Sequence, residues 1–299
     1  MRGNIKEMLS GVYAPMTTPF RNDEILFDGI IRNVQRMNKS SLRGYFVCGT
    51  NGEFKSLSVE ERLRVLEIVV KHASKDKVVM GGTAAESTKE TIDITRKAAD
   101  VGVQLVSLLV PSFFKKIIND DVLIDYVLEV AEASPVPVLI YNNPSVTGGI
   151  LVSPEVIRRV SGHPNVVGMK DSSKGNYLDY VTVAGECFYI LAGSAGFFFE
   201  LLKAGGIGGV LSLANVFPDD CVALYSAFIG GRMKEAERLN DNLVSLNKQI
   251  SGKYSVAGVK AAMNIAGFTG GDPRRPLKPL SETEKEALKK ELIESGYMK

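Results

Sequence analysis

Short apolar segments recur along the chain at a steady spacing, and each has the length of a strand. Most are apolar at successive positions rather than at alternate ones, which is typical of strands buried on both faces of a parallel sheet. The segments lie at 12–16, 45–49, 78–82, 105–110, 138–142, 166–170, 189–193 and 209–214. The pattern therefore predicts eight buried strands that run parallel to one another.

Helical signals occupy the intervals between these strands. Ser58 followed by Glu61 forms a capping-box start, and Ser87 with Glu90 repeats it. Pro154 follows Ser153, so proline stands at the first position of another helix. Further helices are predicted at 28–39, 119–133 and 196–205. The chain thus alternates strand and helix over residues 12–214.

Eight strand–helix units favour a (β/α)8 TIM barrel, an α/β fold. An open, doubly wound sheet remains the alternative, because alternation alone does not prove closure. No GxGxxG motif follows the first strand, which weakens the dinucleotide-binding version of that alternative.

The strand signals stop after residue 214, and helical patterns take their place. These patterns lie at 218–229, 231–250, 255–267 and 281–295, with a loop rich in glycine and proline at 267–281. We therefore expect a (β/α)8 catalytic barrel over residues 1–229. A C-terminal helical extension over residues 230–299 should pack on it.

Composition narrows the classes of function. The 36 basic and 34 acidic residues give a formal net charge of +2, which argues against a nucleic-acid-binding protein. With two histidines and three scattered cysteines, neither a metal site nor a disulfide framework is expected. No segment approaches the length of a membrane helix, and no secretory signal is evident. A cytoplasmic enzyme without a metal cofactor is the simplest interpretation.

Two side chains at strand ends are the strongest candidates for chemistry, because barrel enzymes place their active sites there. Lys170 ends an apolar strand, and burial disfavours its charged form, leaving an amine that can attack a carbonyl. Tyr141 ends the preceding strand, so its phenol would lie close enough to move protons. The alternatives are a lysine that reaches solvent or pairs with Asp171, and a tyrosine that only packs in the core.

The sequence Gly49-Thr50-Asn51-Gly52-Glu53 follows the second strand and predicts a tight turn. Backbone N–H groups exposed in such a turn can hold a carboxylate. An ordinary turn also uses glycine and asparagine, so this signal is weak by itself. Beside a reactive lysine, the turn becomes a candidate clamp for an α-keto acid.

Four motifs together resemble the dihydrodipicolinate synthase / N-acetylneuraminate lyase family, over nearly the whole chain. They are GYFVCGTNGEF at 44–54, YNNPSVTG at 141–148, VVGMKDS at 166–172 and GGVLSLANV at 208–216. Within the family, TNGEF, LAGSAGF and GGDPRRPLKPLS are most similar to 4-hydroxy-2-oxoglutarate aldolases. The resemblance implies a (β/α)8 barrel with a helical extension, assembled as a homotetramer.

The resemblance also implies roles for particular residues. Members of the family bind pyruvate or a larger 2-keto acid as a Schiff base on a lysine, which falls on Lys170 here. The family's catalytic tyrosine falls on Tyr141, and its carboxylate-binding turn on Thr50 and Asn51. A backbone contact to pyruvate falls on Leu211. No separate cofactor is implied.

Two positions depart from the family pattern. Synthases of the family carry an arginine after the catalytic tyrosine, where it holds the second substrate's carboxylate; this chain has Val146. The family's relay tyrosine, contributed across a subunit interface, falls on Phe113, which has no proton to pass. Both departures argue against the synthase reaction in its usual form.

We therefore expect a Schiff-base lyase that cleaves a pyruvate-derived 2-keto acid, with 4-hydroxy-2-oxoglutarate favoured as substrate and pyruvate and glyoxylate as products. The first alternative is 4-hydroxy-tetrahydrodipicolinate synthase, which joins pyruvate to aspartate semialdehyde. A 2-keto-3-deoxy sugar acid aldolase and a non-catalytic keto-acid sensor also remain open, the latter because of Phe113.

Overall fold

The computed structural model describes residues 2–173 and 175–297. Eight parallel strands close into a barrel, in which each strand lies beside the barrel strands that precede and follow it in the chain, and the last pairs with the first. Each strand is buried over nearly its whole length, as their continuous apolar character predicts. The predicted (β/α)8 barrel is thus confirmed, and the open-sheet alternative was wrong.

The described residues form ten strands, of which eight make the barrel and two a short antiparallel hairpin. In chain order they are β1 (Gly11–Pro15), the hairpin strands β2 (Phe20–Arg21) and β3 (Glu24–Ile25), β4 (Gly44–Val47), β5 (Val78–Gly82), β6 (Leu105–Leu109), β7 (Val138–Asn142), β8 (Val166–Asp171), β9 (Tyr189–Ala192) and β10 (Gly208–Val210).

Twelve α-helices of the described chain surround or extend this barrel. They are α1 (Arg2–Leu9), α2 (Phe27–Met37), α3 (Val59–His72), α4 (Thr88–Asp100), α5 (Asp120–Ala133), α6 (Pro154–Val160), α7 (Tyr177–Val183), α8 (Phe198–Lys203), α9 (Pro218–Ile229), α10 (Met233–Asn247), α11 (Lys253–Ile265) and α12 (Glu282–Glu294). Two 3-10 helices (Phe54–Ser56 and Ser212–Asn215) and a π-helical turn (Lys248–Gly252) complete the set.

The predicted capping residues begin their helices as expected. The Ser58 hydroxyl accepts a hydrogen bond from the N–H of Glu61, whose carboxylate accepts one from the Ser58 N–H, completing a capping box. Ser87 caps α4 in the same way, without the reciprocal bond, and Ser153 caps α6 with proline next to it. Local hydrogen bonding is readable from sequence because it involves residues three positions apart.

The eighth strand differs from its prediction over 209–214. It ends at Val210, and the chain turns into the 3-10 helix from Ser212 to Asn215. The Leu211 N–H donates to the backbone carbonyl of Tyr13 on β1. The Leu211 carbonyl, however, accepts from the Ala214 N–H rather than from a neighbouring strand. Apolar residues in a buried turn read like a strand, so periodicity alone missed this change of direction.

The sequence also did not predict α1, the β2–β3 hairpin or α7. The predicted helix over 231–250 ends at Asn247 and continues as the π-helical turn. The helices after the barrel pack against it. Helix α10 contacts α8 and α9, whereas α11 contacts the second 3-10 helix. The division at residue 229 stays a prediction.

A buried ion pair joins the barrel to α11. Lys260 Nζ contacts the Glu53 carboxylate, and both side chains are almost fully buried. Lys260 also donates to the carbonyls of Thr18 at 2.7 Å and Asp272 at 2.8 Å. Burial lowers the pKa of Lys260, although the Glu53 charge opposes this. The pair therefore fixes the turn after β4 against the helical extension.

Within residues 2–173 and 175–297, none of the helices is both long and apolar enough to span a membrane.

Candidate active site

Lys170 and Tyr141 stand side by side at the carboxyl ends of two adjacent strands. β7 and β8 pair in parallel, and Tyr141 is the register partner of Lys170. The Lys170 Nζ lies 3.7 Å from the centroid of the Tyr141 ring and 5.1 Å from that of Phe46. Lys170 is only 4% exposed, so its amine is held inside the barrel mouth.

Asp171 does not pair with Lys170, because consecutive side chains of a strand point to opposite faces. Its Oδ1 accepts a hydrogen bond from Asn142 at 2.8 Å and one from the Ser173 N–H. Asn142 in turn donates to the Tyr180 hydroxyl of α7 at 3.0 Å. Burial raises the pKa of Asp171, which these hydrogen bonds oppose. The alternative of a Lys170–Asp171 pair is therefore wrong.

The Tyr141 hydroxyl lies within hydrogen-bond distance of the side chains of Thr50 and Asn143. It lies 3.1 Å from the Thr50 hydroxyl and accepts a bond of 2.8 Å from the Asn143 amide. Burial by itself would raise the pKa of Tyr141, but the charge of Lys170 and these hydrogen bonds outweigh it. The net result is a pKa below the usual value of a tyrosine.

The turn after β4 presents free donors next to these groups. Gly52 and Glu53 donate their N–H groups inside the turn, to the oxygens of Gly49 and Thr50. The N–H groups of Thr50 and Asn51 have no partner among residues 2–173 and 175–297. The Asn51 side chain reaches the Ser212 hydroxyl across the mouth, at 2.8 Å. Such a turn fits a carboxylate.

These groups line one cavity of about 220 Å³ at the carboxyl end of the barrel. Its remaining lining is rich in hydroxyl groups. The lining residues are Pro15, Thr50, Asn51, Tyr141, Asn143, Ser145, Val146, Lys170, Ser172, Gly193, Ser212, Ser251 and Ser255. Four of the predicted site residues (Lys170, Tyr141, Thr50 and Asn51) thus lie together.

Several lining residues were missed by the sequence analysis. Asn143 and Ser172 lie within motifs that the resemblance used, so a closer examination of those motifs could have found them. Gly193 is required because a Cβ there would lie 1.9 Å from the Ser172 hydroxyl. Ser251 and Ser255 come from the helical extension, and no local pattern marks them.

Ser255 has an unusual backbone. Its φ of 52° and ψ of −143° interrupt α11 close to the π-helical turn. A positive φ with this ψ favours glycine, so a serine there is strained. Backbone irregularities of this kind are frequent at functional sites. Here the kink brings Ser255 into the cavity wall.

The other sequence candidates lie at different places. Leu211 is fully buried beside the cavity-lining Ser212, and its N–H is bonded to Tyr13. Phe113 is 78% exposed on the loop after β6 and lies outside the cavity. Val146 occupies the cavity wall. The roles that the resemblance implies for these residues stay predictions.

Across residues 2–173 and 175–297, no three histidine, cysteine, aspartate or glutamate side chains lie close enough together to form a metal site.

The fold and the cavity define a class of protein: a (β/α)8 barrel whose site at the carboxyl end combines a buried lysine, a tyrosine and the turn that carries Thr50 and Asn51. The model of the Dihydrodipicolinate synthetase family matches residues 8–295. The chain belongs to this family and is an enzyme of its lyase and aldolase type.

Known relatives carry two different activities in their names. The chain is 33% identical to the "Probable 4-hydroxy-2-oxoglutarate aldolase, mitochondrial" of Emericella nidulans, over 97% of this chain and 96% of that protein. It is 34% identical to the 4-hydroxy-tetrahydrodipicolinate synthase of Methanothrix thermoacetophila, over 94% and 95%. A prophage protein of the family from E. coli K12, solved with pyruvate, superposes with a TM-score of 0.89 at 25% identity, covering 96% of this chain and 99% of that one. Similarity alone does not decide between the activities.

Proposed function

We propose that the chain is a class I lyase that binds a 2-keto acid as a Schiff base on Lys170. The observation that carries this proposal is the Lys170 amine, 4% exposed and 3.7 Å from the Tyr141 ring centroid at the cavity wall. In this reaction the neutral form of the amine attacks the ketone carbon. Loss of water then gives an iminium, which accepts electrons from the substrate.

The turn at Thr50 and Asn51 holds the substrate carboxylate in this proposal. The N–H groups of Thr50 and Asn51 have no partner among the described residues, which suits them to bind an anion. The turn contacts Tyr141 through the Thr50 hydroxyl. Holding the carboxylate places C2 of the keto acid beside the Lys170 amine. Fixed orientation of this kind lowers the entropic cost of the reaction.

Tyr141 serves as the base for bond cleavage. Its oxygen takes the proton of the substrate's 4-hydroxyl, and the C3–C4 bond breaks to give an aldehyde. The bonding electrons move into the iminium and give the pyruvate enamine. Protonation of the enamine at C3 and addition of water to the iminium then release pyruvate and restore the Lys170 amine. The lowered pKa of Tyr141 supports this role, because a base must be available in its ionised form.

The favoured substrate is 4-hydroxy-2-oxoglutarate, cleaved to pyruvate and glyoxylate. The Emericella relative, whose name states this aldolase activity, supports this choice. Val146 argues against the synthase reaction, since it occupies the cavity wall at the position where synthases of the family are expected to have an arginine. The hydroxyl-lined wall is also compatible with a 2-keto-3-deoxy sugar acid.

A 4-hydroxy-tetrahydrodipicolinate synthase remains the second candidate, because the Methanothrix relative carries that name at 34% identity. The test is to measure condensation of pyruvate with aspartate semialdehyde beside cleavage of 4-hydroxy-2-oxoglutarate. Faster condensation would reverse our order of preference. A Val146→Arg variant should gain condensation and lose cleavage if this position selects the substrate.

Trapping with borohydride tests the Schiff base itself. The protein is treated with pyruvate and borohydride, and its peptides are weighed by mass spectrometry. We expect a reduced pyruvyl adduct on Lys170 and none in a folded Lys170→Ala variant, which should lose turnover by several orders of magnitude. A Lys55→Ala variant is the control for nonspecific labelling, because Lys55 is exposed and pairs with Glu86. Folded wild-type protein without an adduct would exclude the mechanism and favour the sensor alternative.

The homotetramer also remains a proposal. The loop after β6 exposes Phe113, Phe114 and Ile117, which supports a contact with another copy of the chain. One solved relative is described as a monomeric dihydrodipicolinate synthase variant, so the family alone does not fix the assembly. Sedimentation equilibrium would measure it.

A further inference from the structure

The side-chain amide of Asn143 lies against the one hydroxyl on which the proposed cleavage depends. We propose that Asn143 is a positioning residue that donates a hydrogen bond to Tyr141 and thereby keeps the phenol oxygen available as a base; the proposal rests on the proposed function of this cavity. The Asn143 Nδ2 lies 2.8 Å from the Tyr141 oxygen, and the Asn143 residue is only 8% exposed.

Neighbouring residues fix the orientation of the Asn143 amide. The Ser145 hydroxyl donates to the Asn143 Oδ1 at 2.6 Å, which turns the Nδ2 toward Tyr141. The Thr147 hydroxyl, fully buried, donates to the Asn143 carbonyl at 3.0 Å and holds its backbone. Because one of these bonds holds the side chain and the other the backbone, Asn143 does not need to be ordered when the substrate arrives.

The contribution of Asn143 differs from that of Lys170 in one respect. The positive charge of Lys170 favours the ionised phenol, but this charge is absent while the neutral amine attacks the ketone and returns only when the iminium forms. The amide N–H of Asn143 is a donor at every stage, because it does not titrate. Asn143 therefore supports the phenolate independently of the charge on Lys170.

Asn143 also directs the phenolic proton. An amide nitrogen only donates, so the proton of neutral Tyr141 cannot go to it. The Thr50 hydroxyl, at 3.1 Å, can accept that proton in a hydrogen bond. Phe46 on β4, Thr50 in the turn after β4 and Asn143 in the loop after β7 also face Tyr141, and all three are uncharged. Within residues 2–173 and 175–297, the charged group that faces Tyr141 is Lys170 on β8.

The experiment titrates Tyr141 directly. Ultraviolet absorbance of tyrosinate is recorded against pH for the full-length protein and for its Tyr141→Phe variant, and the difference between the two curves is the titration of Tyr141. The same pair of curves is recorded for proteins that also carry Asn143→Ala or Asn143→Asp. We expect a midpoint about one pH unit higher for Asn143→Ala and a larger rise for Asn143→Asp, whose carboxylate repels the phenolate. At pH values below both midpoints, kcat should fall about tenfold for Asn143→Ala and recover as the pH rises.

A Val146→Ala variant is the matched control, because its side chain lines the same wall but has no group that can hydrogen-bond to the Tyr141 hydroxyl, so the midpoint should stay unchanged. A purely structural role of Asn143 would lower kcat equally at every pH and leave the midpoint in place, which would overturn the proposal. A lower midpoint in Asn143→Ala would overturn it as well, since the amide would then be the acceptor. Borohydride trapping of pyruvate tests the proposed function separately, because absence of a Lys170 adduct would contradict the Schiff base. The tyrosinate midpoint would still report whether Asn143 acts on Tyr141.

Discussion

The cavity has two walls that are built in different ways. Lys170 and Tyr141 belong to paired strands, so barrel closure and register determine where their side chains lie. Ser251 and Ser255 come from a π-helical turn and a kinked helix outside the barrel, where one residue has a strained backbone. We call the first the strand wall and the second the helical wall. We predict that the strand wall acts on the chemical step, whereas the helical wall acts on binding of the part of the substrate beyond the keto acid.

The two walls are connected by the buried pair of Glu53 and Lys260. Glu53 ends the turn that carries Thr50 and Asn51, and Lys260 lies on α11, five residues after Ser255. A change at either end of this connection therefore acts on both walls. The following predictions separate their contributions.

Loss of the Tyr141 phenol, which belongs to the strand wall, should strongly lower turnover. We expect Tyr141→Phe to lower kcat by about 10²- to 10⁴-fold, because general acid–base catalysis is lost, and to change KM much less. The Lys170 adduct with pyruvate should still form, more slowly. The measurement is steady-state cleavage of 4-hydroxy-2-oxoglutarate together with borohydride trapping. Unchanged kcat would remove Tyr141 from the mechanism.

Breaking the connection between the walls should mainly affect stability. Lys260→Met leaves the Glu53 carboxylate buried without its partner, so we expect the free energy of unfolding to fall by about 3–5 kcal/mol. The double variant Glu53→Gln with Lys260→Met should recover part of this loss, since no buried charge is left unpaired. Denaturant unfolding measures both. If the double variant were less stable than Lys260→Met, the pair would not be the cause.

Two variants of Ser255 test the helical wall. Both Ser255→Ala and Ser255→Gly remove the hydroxyl, so both should raise KM for the hydroxy-keto acid by a few-fold, with little change in the yield of the pyruvate adduct. Only Ser255→Gly relieves the backbone strain, and it should stabilise the protein by about 1 kcal/mol relative to Ser255→Ala. Thermal unfolding distinguishes the two variants. Equal stability would show that the kink carries no strain.

The sequence predicted most of the strand wall. Its apolar segments located the barrel strands, and the end of each segment identified Lys170 and Tyr141 within a residue or so. The resemblance added Thr50 and Asn51. The capping residues of α3, α4 and α6 were also predicted, because a cap is an interaction between residues close in the chain.

The helical wall was not predictable in the same way. Ser251 and Ser255 lie far along the chain from Lys170, and their local sequence resembles an ordinary helix. The turn after β10 was taken for a strand because its residues are buried and apolar. Asn143 is adjacent to a predicted strand end, but only the contact with Tyr141 reveals its importance.

The sequence by itself determined the alternation of strand and helix, the count of eight strands and the residue types at their ends. Local periodicity and capping encode these features, since they depend on neighbours along the chain. The tertiary structure alone decided that Asp171 turns away from Lys170 toward Asn142, that Asn143 bonds Tyr141, and that two serines of the extension reach the cavity. These contacts depend on side-chain direction and on how distant elements pack, which no local pattern specifies.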